Sequence, residues 1–158
     1  MRPAFSIIFL TTLIGAGQGL FLALFSGQLY SALRVLPAQD PLQLYALGSV
    51  LSLALLAAGL LSSFFHLGRP ERAWRAASQW RTSWMSREVI VLPAFMASVA
   101  AWGLIHFSGW DPLLLVFGSR FEVSLSLVAG LVASVMCFAL FLCTGMIYAC
   151  MKMLQEWA

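Results

Sequence analysis

LQLYALGSVLSLALLAAGLLSSFF, residues 42–65, contains no charged side chain. About 20 apolar residues in a helix, at roughly 1.5 Å each, cross the ~30 Å hydrocarbon layer of a bilayer. Uncharged runs of this length are therefore typical of transmembrane helices, and we expect residues 42–65 to cross a membrane.

Three further runs have the same character. We predict helices at 5–33, 42–66, 88–107 and 123–152, with a functional loop at 66–88 and no strands. The 158 residues are 61% hydrophobic and 9% charged, whereas soluble domains average roughly 25% charged residues. The sequence predicts an all-α integral membrane protein, with residues 1–158 forming one antiparallel bundle of four transmembrane helices.

The basic residues lie at the ends of these runs. The formal net charge of +3 is thus explained by membrane-flanking arginine and does not indicate nucleic-acid binding. With four spans, both termini and residues 66–88 share one side, which holds seven of the nine basic residues: Arg2, Lys152 and five arginines between residues 66 and 89. The other side holds Arg34 and Arg120, so the positive-inside rule predicts that residues 66–88 face the cytoplasm.

HLGRPERAWRAASQWRTSWMSREV, residues 66–89, is called the seam below. It contains five of the nine Lys and Arg residues and three of the six tryptophans. One interpretation is an interfacial belt, because tryptophan and arginine both favour the headgroup region. The other is a docking surface for a peripheral subunit, since the same residues anchor protein interfaces. The candidate docking residues are Arg72, Arg75, Trp74 and Trp80.

Two ionisable side chains border the seam. His66 closes the second predicted helix and Glu88 opens the third, so both lie at one membrane face. They could accept hydrogen bonds and protons from a hydroxyl-bearing ligand, or they could be interfacial polar residues without a ligand. The other histidine, His106, ends the third helix about 27 Å from Glu88. Two histidines at opposite faces cannot hold one haem.

Small residues recur every four positions in the first helix, at Gly15, Gly19, Ala23 and Gly27. Such a ladder predicts close packing against a second helix. Gln18 beside it is expected to make an interhelical hydrogen bond rather than a ligand contact. The sequence contains no nucleophile motif, phosphate-binding loop or metal-spaced His/Cys cluster. We therefore predict no catalytic nucleophile and no metal site, and expect proton handling or ligand binding.

Four motifs resemble the membrane-anchor subunit family of dimethyl sulfoxide reductase, which is related to the polysulfide reductase type of membrane subunit. They are GAGQGLF in the first helix, HLGRPERAWRA and SWMSRE in the seam, and TGMIYACMKMLQEW near the end. These motifs occur in order over nearly the whole chain. The resemblance is therefore specific and not merely that of any apolar membrane protein.

The resemblance implies a complex of three subunits in a prokaryotic cytoplasmic membrane. Such an anchor binds menaquinol, oxidises it and holds two soluble subunits at the membrane lipid. One is a ferredoxin-like electron-transfer subunit with four 4Fe–4S clusters, and the other is a molybdopterin catalytic subunit. The anchor itself carries no covalently bound cofactor.

The resemblance also carries roles to individual residues. The quinol-site histidine falls on His66 and its acidic partner on Glu88. We add Arg69 and Arg87 as candidates to stabilise an anion derived from the quinol. The family has about eight spans, so this chain resembles the N-terminal half of an anchor, or a split or reduced one. Two rival functions are a non-redox scaffold that only docks partner subunits and, less favoured by the uncharged spans, a transporter subunit.

Overall fold

The computed structural model describes residues 5–64, 70–117 and 121–150. Four α-helices dominate these ranges: α1 Phe5–Ala32, α2 Leu47–Phe64, α3 Trp84–Ser108 and α4 Leu125–Ala149. A π-helical turn, Pro41–Ala46, leads directly into α2, and a 3₁₀-helix, Pro70–Gln79, precedes α3. All four helices are long and apolar enough to cross a membrane. The predicted fold class, a multi-pass α-helical membrane protein, is confirmed.

The helix ends follow local capping. Ser83 accepts a hydrogen bond from the Ser86 amide at 3.4 Å and begins α3 at Trp84, four residues before the predicted start. Asp40 accepts bonds from the Leu42 and Gln43 amides at 2.9 and 3.2 Å. Both residues use a side-chain oxygen to satisfy amides that have no partner within the helix.

The prediction of no strands is wrong. Strands β1, Leu113–Phe117, and β2, Phe121–Ser124, form an antiparallel hairpin between α3 and α4. These segments are rich in leucine, valine and phenylalanine, and the latter two favour pleated backbone. The hairpin delays α4 to Leu125, where Ser124 caps it by accepting a bond from the Leu127 amide.

The helices pack mainly as two pairs, α1 with α2 and α3 with α4. Aromatic rings join the pairs at the centre, where Phe21 meets Trp102 and Phe95 edge to face, each with ring centroids 5.5 Å apart. All three side chains are fully buried. Edge-to-face aromatic pairs add to the energy of burial, so this cluster holds the bundle together.

The predicted glycine ladder does not make the close helix contact. Gly15 and Gly19 are exposed, and a Cβ built on either would meet nothing within 4 Å. The same holds for the half-buried Gly27, and Ala23 is exposed. The close approach uses Gly17, where a Cβ would lie 2.8 Å from Leu56 Cγ of α2. The ladder therefore lies on another face of α1 from Gly17, and that face does not pack closely against the described helices.

Candidate functional site

The bundle has two polar ends. The seam end contains the N-terminus of α3 and the C-terminus of α4, and the hairpin end contains the C-terminus of α3 and the N-terminus of α4. We describe the seam end first, because the sequence places its candidate site there.

Glu88 lies in the first turns of α3 and is half-buried. Its Oε1 accepts a hydrogen bond from the Thr144 hydroxyl of α4 at 2.8 Å. A carboxylate at a span end is stabilised by such a donor, since an unpaired charge there is costly. Thr144 thus fixes Glu88 at the α3–α4 interface, and sequence reasoning missed this residue.

His66 and Arg69 lie outside the described residues. Their predicted proximity to Glu88 and their roles in binding quinol therefore stay predictions.

Arg87, the fourth predicted quinol-site residue, contacts other residues of the seam. Its Nε donates to the Trp80 carbonyl at 2.9 Å, and its Nη2 donates to the Arg81 carbonyl at 3.0 Å. Its guanidinium carbon also lies 4.1 Å from the centre of the Trp84 ring, a cation–π contact. These contacts hold the turn before α3, and a contact of Arg87 with quinol stays a prediction.

The predicted docking residues are described in part. Trp80 is 53% exposed, with the Arg81 guanidinium carbon 5.3 Å from its ring centre. Arg75 is exposed, while the side chains of Arg72 and Trp74 lie outside what the structure describes. An exposed tryptophan with an arginine beside its ring fits both an interfacial belt and a protein-docking surface. The docking role of these residues stays a prediction.

Gln18 is 4% exposed, and its Nε2 has no hydrogen-bond partner within the described ranges. The interhelical bond expected for Gln18 is thus not found, and Gln28 makes such bonds instead. Its Oε1 accepts from Trp102 Nε1 at 2.9 Å and its Nε2 donates to Ser126 Oγ at 2.7 Å. This side chain links α1, α3 and α4 near the hairpin end.

The network continues to Asp111, just before the hairpin. Its Oδ1 accepts from the Ser126 amide at 2.8 Å, and its Oδ2 from the Ser126 hydroxyl at 2.5 Å. The carboxylate lies at the N-terminus of α4, where amides without helical partners and the helix dipole favour negative charge. A chain of hydrogen bonds thus runs from Trp102 to the edge of the bundle.

Beside this network is a cavity of about 390 Å³ between the end of α1, the π-helical turn and the hairpin. Tyr45 and His106 both line it, and their rings lie 4.9 Å apart with a tilt of 39°. His106 was considered from the sequence only as a haem ligand. No signal in the sequence places it beside Tyr45, because the two residues are far apart in the chain. Across the described ranges, no group of three or more His, Cys, Asp or Glu side chains could hold a metal ion.

Comparison with known proteins matches the chain to a family. A family model described as DMSO reductase anchor subunit (DmsC) matches residues 1–158. A sulfite dehydrogenase subunit from Allochromatium vinosum is 59% identical over 157 residues, which cover 99% of this chain. The chain spans 48% of that relative. No solved structure gives a significant match.

Proposed function

Because the chain belongs to the DMSO reductase anchor subunit family, we propose that it anchors a molybdopterin oxidoreductase complex to the membrane. In this proposal it binds menaquinol at the seam, oxidises it and passes the electrons to a ferredoxin-like subunit with four 4Fe–4S clusters. The molybdopterin subunit then reduces the terminal substrate.

The observation that carries the proposal is the position of Glu88. Oxidation of a quinol releases two electrons and two protons, so a site for it needs proton acceptors within reach of the ring hydroxyls. Glu88 is a half-buried carboxylate at a span end, held by one hydrogen bond from Thr144. A positioned carboxylate in partial contact with solvent can accept a proton and release it to water.

The exposed part of the seam supports the docking half of the proposal. Trp80 and Arg81 lie on the surface a few residues before Glu88 in the chain. Tryptophan and arginine are the residues that most often carry the binding energy of interfaces. A soluble subunit docked here would bring its nearest cluster close to Glu88, as electron transfer from the quinol requires.

A second candidate concerns the direction of electron flow. The relative from Allochromatium vinosum is named a sulfite dehydrogenase subunit, and it is 59% identical over nearly the whole of this chain. Its name favours a complex that oxidises an inorganic sulfur substrate and delivers electrons to quinone. The seam would then bind the oxidised quinone, and Glu88 would donate the proton instead of accepting it.

The test is binding of a fluorescent 4-hydroxyquinoline N-oxide, an inhibitor of quinol sites, to membranes that contain the assembled complex. We expect Glu88→Gln and His66→Ala to weaken fluorescence quenching about tenfold or more, because a hydrogen bond to a charged group contributes ~1.5–3 kcal/mol. The matched control is Asp40→Asn, which removes a carboxylate at the hairpin end and retains a good N-cap.

Immunoblotting of the membrane fraction for all three subunits reports assembly in each variant. Quenching unchanged in Glu88→Gln and His66→Ala would overturn the quinol site at the seam and leave a scaffold that binds partners only. The direction of flow is read separately, from whether quinol or quinone changes the redox state of the clusters in the same membranes.

A further inference from the structure

Two residues that line the cavity at the hairpin end each have a buried polar atom without a partner among the described residues. The hydroxyl of Tyr45 and Nε2 of His106 are buried and make no hydrogen bond in the described part of the chain. The two side chains are 4% and 7% exposed. Leaving a buried polar group unpaired costs about 1–3 kcal/mol. Two such atoms on neighbouring rings beside one cavity indicate a missing partner.

The Tyr45 and His106 rings both pack against Trp102. Trp102 packs edge to face on His106, with their ring centroids 4.8 Å apart. The centroid of the Trp102 ring lies 5.8 Å from that of Tyr45. The Trp102 indole is itself fixed by its bond to Gln28. Tyr45 belongs to the π-helical turn Pro41–Ala46, a backbone irregularity that occurs often at functional sites. The contacts of Trp102 therefore position both rings beside the cavity.

Arg34 borders the same cavity, just after the end of α1. Its φ of +58° belongs to a Schellman motif that caps the helix, in which the amides of Val35 and Arg34 donate to carbonyls of the last turn of α1 at 2.9 and 3.0 Å. Arg34 lines the cavity together with Asp111 and Glu122.

Charge at the cavity restricts the class of ligand. One guanidinium and two carboxylates line it, so an anionic group such as phosphate is disfavoured. The remaining wall is mixed. It contains apolar side chains, among them Ile105, Leu113 and Leu127, and polar uncharged ones, namely Gln28, Ser31, Gln39 and Ser124. A volume of about 390 Å³ is within the range of small-molecule sites, roughly 300–1,000 Å³. These features fit a neutral planar ring that carries carbonyl or hydroxyl groups.

We propose that the cavity lined by Tyr45 and His106 is a second ligand site, for a neutral ring with carbonyl or hydroxyl oxygens such as a quinone headgroup. The Tyr45 hydroxyl and His106 Nε2 each bind a ring oxygen, since either can donate or accept. Both atoms are shielded from solvent, so the ligand reaches them through side-chain adjustments common on binding. This site is at the opposite end of α3 from Glu88 and does not depend on the function proposed for the seam.

The test is photolabelling of the assembled complex in membranes with an azidoquinone, followed by mass spectrometry of the labelled peptides. We expect label on the peptides that contain Tyr45 or His106, in the wild type and in Glu88→Gln. Tyr45→Phe removes only the hydroxyl, and we expect it to lower this label about fivefold, as loss of one hydrogen bond implies. The matched control is Tyr30→Phe, a hydroxyl deletion on a half-exposed ring outside the cavity.

Each outcome decides the proposal. Label confined to the seam, or equal at the hairpin end in Tyr45→Phe and the wild type, would overturn it and leave a cavity that holds water. Label at the hairpin end with none at the seam would support it and count against the function proposed for Glu88. If Tyr45→Phe fails to assemble, His106→Gln provides the same comparison.

Discussion

At the scale of single residues, the chemistry proposed for the seam rests on Glu88, whose carboxylate accepts a hydrogen bond from Thr144. Glu88 stands out in the sequence because it is a carboxylate at the edge of an uncharged span. Thr144 does not, since it is 56 residues away and its hydroxyl resembles those of other residues in apolar helices. The acid can be predicted from local pattern, whereas its partner depends on how α3 and α4 pack.

Replacing Thr144 tests whether this contact positions Glu88. Thr144→Val keeps the shape of the side chain and removes the donor at 2.8 Å. We expect inhibitor affinity to fall roughly three- to tenfold, because part of a charged hydrogen bond worth ~1.5–3 kcal/mol is lost. Thr144→Ser retains the hydroxyl and should bind nearly as the wild type does. Equal affinity in the valine and serine variants would show that Thr144 only packs.

The polar network at the hairpin end was beyond sequence reasoning for the same reason. Gln28 meets Trp102 across 74 positions of the chain and Ser126 across 98. The sequence offers two glutamines in α1, and nothing in the local pattern distinguishes the one with bonds to other helices from Gln18. Such networks cannot be predicted from local pattern because their members are far apart in the chain. This holds even though each member is a polar residue in or beside an apolar run.

At the scale of helices, the length of the uncharged runs located the four spans but did not indicate the face that each one buries. The four spans carry apolar residues on all sides, so a span that faces lipid and a span that faces protein look alike. The spacing of Gly15 and Gly19 is compatible with a close helix contact, but such spacing alone does not show which face of the helix is packed. The structure instead uses Gly17 in α1 and Gly59 in α2, where a Cβ would lie 2.7 Å from Ile14 Cγ1.

A pair of substitutions separates the two faces of α1. Gly17→Leu forces atoms into Leu56 and the carbonyl oxygen of Ser52, which lie 2.8 and 3.1 Å from the ideal Cβ. Overpacking of this kind costs about 1–3 kcal/mol, so we expect the thermal midpoint in detergent to fall by about 5 °C. Gly15→Leu points into open space and should leave the midpoint unchanged. A larger loss in Gly15→Leu than in Gly17→Leu would show that the ladder face is the packed one.

The segments between helices show how far capping residues can predict where a helix starts. Asp40 before Pro41 and Ser83 before Trp84 are ordinary helix-start signals, and reading Ser83 as a cap would have placed the start of α3 correctly. The hairpin could not be predicted, because LLLVF is a short apolar run between two spans. Its composition fits either a strand or the end of a helix. Pairing with residues 121–124 is what selects the strand.

At the scale of the molecule, the chain has a polar site at each end of one apolar bundle. Glu88 and His106 lie near opposite ends of α3, so one helix contributes to both proposed sites. The seam end is rich in arginine, whereas Arg34 is the one arginine among the described residues of the hairpin end. Charge therefore marks the ends as different, and orientation in the membrane follows from that difference.

The predicted orientation places the seam in the cytoplasm, and accessibility to a membrane-impermeant maleimide measures it. In a Cys150→Ser background the remaining cysteines, Cys137 and Cys143, are buried. Ser78→Cys reports the seam and Gln39→Cys reports the hairpin end, and both positions are exposed. We expect Ser78→Cys to be labelled only in inverted vesicles and Gln39→Cys only in spheroplasts, because arginine is retained on the cytoplasmic side.

Two other patterns of labelling would each contradict a different step. Reversed labelling, with Ser78→Cys reached from outside, would place the soluble subunits proposed to dock at the seam outside the cytoplasm. Labelling of both cysteines from the same side would contradict the predicted spans, because α2 lies between Gln39 and Ser78 and separates them by one membrane crossing. Cys150, exposed at the end of α4, supplies an internal check when it is retained, since four crossings require it to be labelled from the same side as Ser78→Cys.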